Sequence, residues 1–170
     1  METPNLSSKK SCGGARRRML AALAMAAAVS VASQGAAQSV DGKTVYKDAN
    51  CVGCHKWHGQ GGGGYGGAAL SLREMGLDRE QLIEVIVCGR METRMPYHLR
   101  AAWKTDTPCY GMTAAEIGNE IPPMAANFLR DHQIEAVADY VIAHMQGRGE
   151  PTKEECVEFW GEASRECDRY

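Results

Sequence analysis

Five consecutive residues carry the most specific chemistry in this chain: Cys51, Val52, Gly53, Cys54 and His55. Two thiols at this spacing sit on one turn of chain, so both can add to the two vinyl groups of a single haem. The adjacent histidine then directs its imidazole at the iron. C-x-x-C-H therefore reads as covalent attachment of a c-type haem. Two rival chemistries fit less well. Cys51, Cys54, His55 and His58 are all zinc-ligand types, but they fall within eight positions, whereas structural zinc sites draw on two separated pairs. A thioredoxin-like dithiol needs a βαβ setting, and nothing around Cys51 reads as a strand.

Iron bound by one histidine needs a sixth ligand or keeps an open site. Two methionines are flanked by proline: Met95 in Arg94-Met95-Pro96-Tyr97, and Met124 in Pro122-Pro123-Met124. Thioethers are soft ligands, and a His/Met pair raises the potential into a range useful for electron transfer. Proline stiffens the loop that presents the sulfur. Each methionine could equally be a gap filler. Met91 and Met112 are weaker candidates. His98 and His132 would allow bis-His ligation, although a solvent-facing imidazole is the plainer expectation for each. An open iron would suit peroxide reduction or gas sensing, with Arg94 and His98 the nearest distal acid–base pair in sequence. Trp57 and Tyr65 could shield a haem or simply pack.

The elements that must hold these residues read as helices. Val45, Tyr46 and Ala49 share one face, which predicts a helix over 41–49 running into the cysteine motif. Asp78 and Gln81 form a capping box ahead of Leu82, Ile83 and Ile86, predicting a helix over 78–87 that stops at Gly89. Thr113 and Glu116 have the same spacing and predict one turn that includes Ile117. Ile134, Val137, Ala138, Val141 and Met145 form a stripe, bordered by Tyr140, on a helix over 131–145 ended by Gly147. Thr152 with Glu155 opens a last helix through Trp160. No segment alternates like a strand for long. Gly59 to Gly67 is a flexible loop whose glycines allow close approach to a large ligand; it lacks the G-K-[ST] ending and preceding strand of a phosphate cradle. The long stretch from Arg90 to Asn127 wraps over something instead of forming a large element. The fold class is all-α with long loops around one haem.

The N-terminus has the layout of a secretory signal peptide. Lys9, Lys10, Arg16, Arg17 and Arg18 precede an apolar run from Met19 to Val31, too short for a membrane span. Small residues from Ala32 to Ala37 suit cleavage near Ala37; the alternative is an uncleaved leader acting as an anchor. The division expected is 1–37 signal peptide, 38–148 haem domain and 149–170 a C-terminal extension packed on it. Of 19 basic and 21 acidic residues, the leader holds five and one, so residues 38–170 carry a net charge of −6. Such a chain is a poor candidate for nucleic acid, and a protein partner could attract it through a basic patch. Of the seven cysteines, Cys12 leaves with the leader and two belong to the motif. Cys88, Cys109, Cys156 and Cys167 remain, an even set in an exported chain, which suggests disulfides. Cys88–Cys109 and Cys156–Cys167 would each close a local loop.

The order of these features resembles the class I c-type cytochromes. The resemblance covers about Gly42 to Met145: the Gly42 to Tyr46 helix, the Cys51–His55 motif, the glycine-rich loop leading to Leu70, the Gly89-Arg90 to Met95-Pro96 segment, and a final helix with Tyr140-Val141. It implies one covalently attached haem c, held by Cys51 and Cys54, with His55 as proximal iron ligand. It favours Met95 over Met124 as the distal ligand. It implies that the first and last helices of the fold cross, with Tyr46 and Tyr140 near the contact. The insertion between Tyr97 and Pro122 and the Cys156/Cys167 tail depart from the minimal pattern. These additions resemble those of electron acceptors for periplasmic quinoprotein alcohol dehydrogenases. The function implied is a periplasmic one-electron carrier, not an enzyme. Its donor would be a dehydrogenase and its acceptor an oxidase or another cytochrome. A haem subunit of a larger redox complex is the alternative, besides the five-coordinate peroxidase or sensor.

Overall fold

The computed structural model describes residues 40–64, 67–104 and 107–170. The leader and Tyr65 lie outside the described residues. Among the described residues, no helix is long and apolar enough to cross a membrane.

Helix α1 (Gly42–Asp48) is capped by Asp41, whose carboxylate accepts from the Lys43 and Thr44 amides. Helix α2 (Cys51–His55) follows after a two-residue turn. Helix α3 (Arg79–Cys88) carries the expected capping box between Asp78 and Gln81 and stops at Gly89. Helix α4 (Ala114–Ile117) is one turn opened by Thr113 and Glu116. Helix α5 (Asp131–His144) has Met145 as its C-cap, two residues before the expected stop at Gly147. Helix α6 (Lys153–Trp160) starts on the Thr152–Glu155 capping box, and a short 3₁₀ turn, Arg165–Arg169, ends the tail.

The stretch after α3 contains two short strands that the sequence pattern does not reveal. Strand β1 (Tyr97–Leu99) pairs in parallel with β2 (Met124–Leu129). Tyr97 stands opposite Met124 and Leu99 opposite Leu129, so β2 bulges between them. The helical description holds for the body of the fold, with this pair of strands added.

Helices α1 and α5 cross at the centre. Gly42 permits the crossing: a Cβ there would lie 2.1 Å from the Ala136 carbonyl oxygen and 2.6 Å from Tyr140 Cβ. The Tyr46 and Tyr140 rings meet with centroids 5.8 Å apart, as the resemblance implies. Val45, Tyr46, Leu82, Ile86, Ile134, Val137, Ala138, Val141 and Met145 are buried in one core. Each fully buried apolar side chain of Val or Ile size contributes about 1.5–3 kcal/mol. The tail belongs to that core, since Cys156, Phe159 and Cys167 are buried in it. Phe159 packs edge-on to Tyr46 at 6.3 Å. Lys43 and Lys47 of α1 donate to the Glu158 and Phe159 carbonyls at the end of α6, cations where a helix C-terminus favours them. Both expected disulfides are present, Cys88–Cys109 and Cys156–Cys167.

Candidate functional site

The motif helix α2 is short and bracketed by unusual backbone. Asn50 before it and Lys56 after it both have positive φ, 62° and 64°. Asparagine tolerates the left-handed region; lysine does so at a cost. Lys56 is held there from two sides. Its amide donates to Val52 O at 2.9 Å, and its carbonyl accepts from the Tyr46 hydroxyl at 2.9 Å. Burial raises the Tyr46 pKa well above the ordinary tyrosine value, so this hydroxyl stays a donor. Helix α1 thus fixes the exit of the motif.

The glycine-rich loop closes the other side. A helix leaves its last carbonyls without intrahelical partners. Gly64 N donates to Gly53 O at 3.2 Å, Gly63 N to Cys54 O at 2.9 Å and Gly61 N to His55 O at 3.2 Å. The loop wraps the end of α2 and brings Leu70 back to the motif. His55 Nδ1 lies 2.9 Å from the Leu70 carbonyl. A carbonyl only accepts, so the proton sits on Nδ1 and the Nε2 lone pair is left for a metal. Burial lowers the His55 pKa, partly opposed by the Leu70 carbonyl, and so favours the neutral, ligating form.

Cys51 and Cys54 are both free thiols. Burial pushes the Cys51 thiol up to about 12, which keeps it protonated and slow to oxidise. Two free thiols and a histidine with Nδ1 already engaged are the donor set that a covalently attached, axially ligated haem requires. These residues fit the group. Leu70 is 57% exposed and stands beside them.

The two candidate methionines differ sharply. Met95 packs against the main core, in the same cluster as Cys51 and Val52. Met124, on β2, is 68% exposed. Met91 packs against a smaller second cluster, and Met112 is half-buried with its backbone paired to Cys109. His132 is exposed, as expected. His98 is not: it is 5% exposed, and its Nδ1 has no hydrogen-bond partner. The expectation of a solvent-facing His98 is therefore corrected. Strand β1 is pinned on one side by β2, and it carries His98 inward where neighbouring elements cover it. Burial lowers the His98 pKa, opposed by the carbonyls of Pro96, Ile86 and Ala49.

Trp57 is buried among tail residues, edge-on to Tyr170 at 5.2 Å and tilted against Phe159 at 6.2 Å. Its packing role is clear from these contacts. His58 accepts from the Gln60 amide at 3.1 Å and stands edge-on to Trp57. Among the described residues, no three His, Cys, Asp or Glu side chains converge as a metal site. Arg73 escaped the sequence reading. It is buried, and it donates to Gly149 O at 2.6 Å, to His58 O at 2.9 Å and to the Glu155 carboxylate at 3.0 and 3.1 Å. It joins the segment after the motif to the tail.

No curated protein and no solved structure matches the chain significantly. The family model for cytochrome c matches residues 39–144, which include α1, the motif helix, the glycine-rich loop, Met95 and α5, and leave out α6 and the tail disulfide. Free thiols on one helix, an imidazole fixed by its Nδ1 and that match lead to one conclusion: the chain belongs to the cytochrome c family and carries covalently attached haem c.

Proposed function

We propose that this protein is an exported one-electron carrier with a His55/Met95-ligated haem c. Membership of the cytochrome c family supports haem-based electron transfer with redox partner proteins. The haem, when bound, supplies reversible gain and loss of one electron at iron. Cys51 and Cys54 would hold it through thioether bonds. His55 would supply Nε2 to the iron while Leu70 keeps Nδ1 protonated. Met95 would supply its sulfur as the second protein ligand. With both ligands supplied by the chain, the iron would exchange electrons without binding substrate.

The carrying observation is that Met95 packs against the same core cluster as Cys51 and Val52, in a loop closed back on the end of α3 by the Arg90 N–H to Met95 O hydrogen bond. That packing supports Met95. The leader and the spare cysteines support a periplasmic location. Encounters of such carriers with their partners are small and short-lived. The donor proposed is a quinoprotein dehydrogenase, and the acceptor a terminal oxidase or another cytochrome.

The test is the near-infrared sulfur-to-iron charge-transfer band of the oxidised holoprotein. Met95→Ala is expected to abolish it, and Met124→Ala to retain it. Retention in Met95→Ala with loss in Met124→Ala overturns the assignment. N-terminal sequencing of the exported protein is expected to begin near residue 38; an intact Met1 overturns cleavage.

A further inference from the structure

The insertion between β1 and β2 builds a second small core around the C-terminal end of α3. Cys88, Ala102, Trp103 and Cys109 are its buried residues. Its links converge on the C-terminal part of α3 and on Gly89. Trp103 Nε1 donates to Cys88 O at 2.9 Å. The Tyr110 hydroxyl donates to Gly89 O. The Cys88–Cys109 disulfide binds the same point covalently, and the Tyr110 amide donates to the Glu84 carboxylate at 3.1 Å.

This is where the Met95 loop leaves α3. Gly89 has φ +70°, and a Cβ there would lie 2.8 Å from each of Met95 O, Tyr97 N and Pro122 Cβ. Arg90 N donates to Met95 O at 3.2 Å, closing the loop. The Met95 amide donates to the Thr93 hydroxyl at 3.1 Å, and that hydroxyl donates to Arg90 O at 2.7 Å. The position of Met95 is therefore set by the residues at 88–90, and these are held by the insertion.

The backbone carries the same message. Among the described residues, five non-glycine residues have positive φ: Asn50, Lys56, Glu92, Trp103 and Tyr110. Two bracket the haem motif, one lies in the Met95 loop, and the last two are the residues that cap Cys88 and Gly89. Such conformations persist only where the surroundings over-determine them. Trp103 and Tyr110 are held in theirs by the contacts that reach the root of the Met95 loop.

We infer that the insertion is a clamp for the axial methionine: Trp103, Tyr110 and the Cys88–Cys109 disulfide are positioning residues that hold the Met95 sulfur on the iron against competing ligands. The inference rests on Met95 being the distal ligand. It gives the insertion a role that a bare solvent-exposed loop lacks. It also assigns the two disulfides different work, one setting a ligand loop and the other closing the tail.

The experiment is a titration of oxidised holoprotein with imidazole, which competes with the thioether for iron, read as loss of the near-infrared band. Tyr110→Phe keeps the ring and removes one part-buried hydrogen bond, so imidazole is expected to bind roughly fivefold more tightly. Trp103→Phe is expected to act in the same direction, and the Cys88→Ser/Cys109→Ser pair more strongly. The Cys156→Ser/Cys167→Ser pair is the control: it loosens the tail but leaves the imidazole affinity near wild type. Wild-type affinity in Tyr110→Phe and Trp103→Phe overturns the clamp, as does an equal shift in the tail control. Met95→Ala separates the two readings. A band retained there shows that Met95 is not the ligand, whereas a band lost there with unshifted Tyr110→Phe condemns the clamp alone.

Discussion

Arg73 and Glu155 form an ion pair in which one guanidinium nitrogen, Nη2, donates to both carboxylate oxygens, at 3.0 and 3.1 Å. Their side chains are 3% and 22% exposed. The same guanidinium also binds the carbonyls of His58 and Gly149, so one side chain connects the motif's exit, the linker and α6. Arg73→Ala leaves a largely buried carboxylate and two carbonyls without their donor. The expected cost is about 3–5 kcal/mol, measured by chemical denaturation of the holoprotein. The Arg73→Met/Glu155→Leu double variant is expected to recover only part of it: no charge is then stranded, but the His58 and Gly149 carbonyls still lack their donor and α6 loses the Glu155 half of its capping box. A single-variant cost below about 1 kcal/mol would place the pair with exposed ones and overturn this reading.

Helix α1 presses on α5 through Gly42, with no room for a side chain beside Ala136 and Tyr140. Gly42→Ala must push the helices apart or shift Tyr140. Overpacking of this kind costs about 1–3 kcal/mol. Tyr46 lies in the same helix and holds Lys56 O, so displacement of α1 also disturbs the exit of the motif. Thermal unfolding followed at the haem absorption is expected to show a lowered midpoint. An unchanged midpoint would mean that the crossing relaxes freely.

How much of this was readable beforehand depended on the range of the interaction. Asp78 with Gln81 and Thr152 with Glu155 start helices through hydrogen bonds spanning three residues, so the signal is local and both starts were legible. Cys88–Cys109 and Cys156–Cys167 span 21 and 11 residues, short enough that local pairing was the natural expectation. Strand β1 was not legible, because three residues are too few to show alternation and its partner lies beyond the insertion. Buried Arg73 finds Gly149 and Glu155 76 and 82 positions away, and no neighbouring residue announces them. His98 fails for the same reason: β2 and the end of α3 bury it, and both lie outside its own segment. The glycine run was legible as a close-approach loop, and three of its amides bond the carbonyls of α2.

The tail disulfide closes a loop with sequence separation 11. Chain-entropy arguments put its contribution at about 2–4 kcal/mol. Cys156 and Cys167 are both buried beside Phe159, so replacing the pair with serine also removes apolar contacts from the core. Stability is expected to fall by at least that amount, with the Arg165–Arg169 turn becoming sensitive to protease first. Equal protease resistance in the variant and wild type would show that Phe159 and Arg73 alone hold the tail.

His98 supplies a pH signature. Its folded pKa is lowered, first by burial, so the native state favours the neutral ring. An unfolded chain takes up a proton at this residue near the ordinary histidine value, about 6.5. Below that pH the unfolded state binds more protons than the native state, and stability falls as pH falls. The loss continues down to the lowered folded value and then stops. His98→Gln has no titrating ring, so this part of the acid sensitivity disappears. Denaturant midpoints of holoprotein at pH 7 and pH 5 are the measurement. The wild type is expected to lose more stability between them than His98→Gln does. His58 also has a lowered pKa, first from burial, so both proteins retain some acid sensitivity, and the difference between them isolates His98. Equal losses in the two proteins would mean that His98 is protonated in the native state without penalty, through a partner for its Nδ1 that accepts a hydrogen bond.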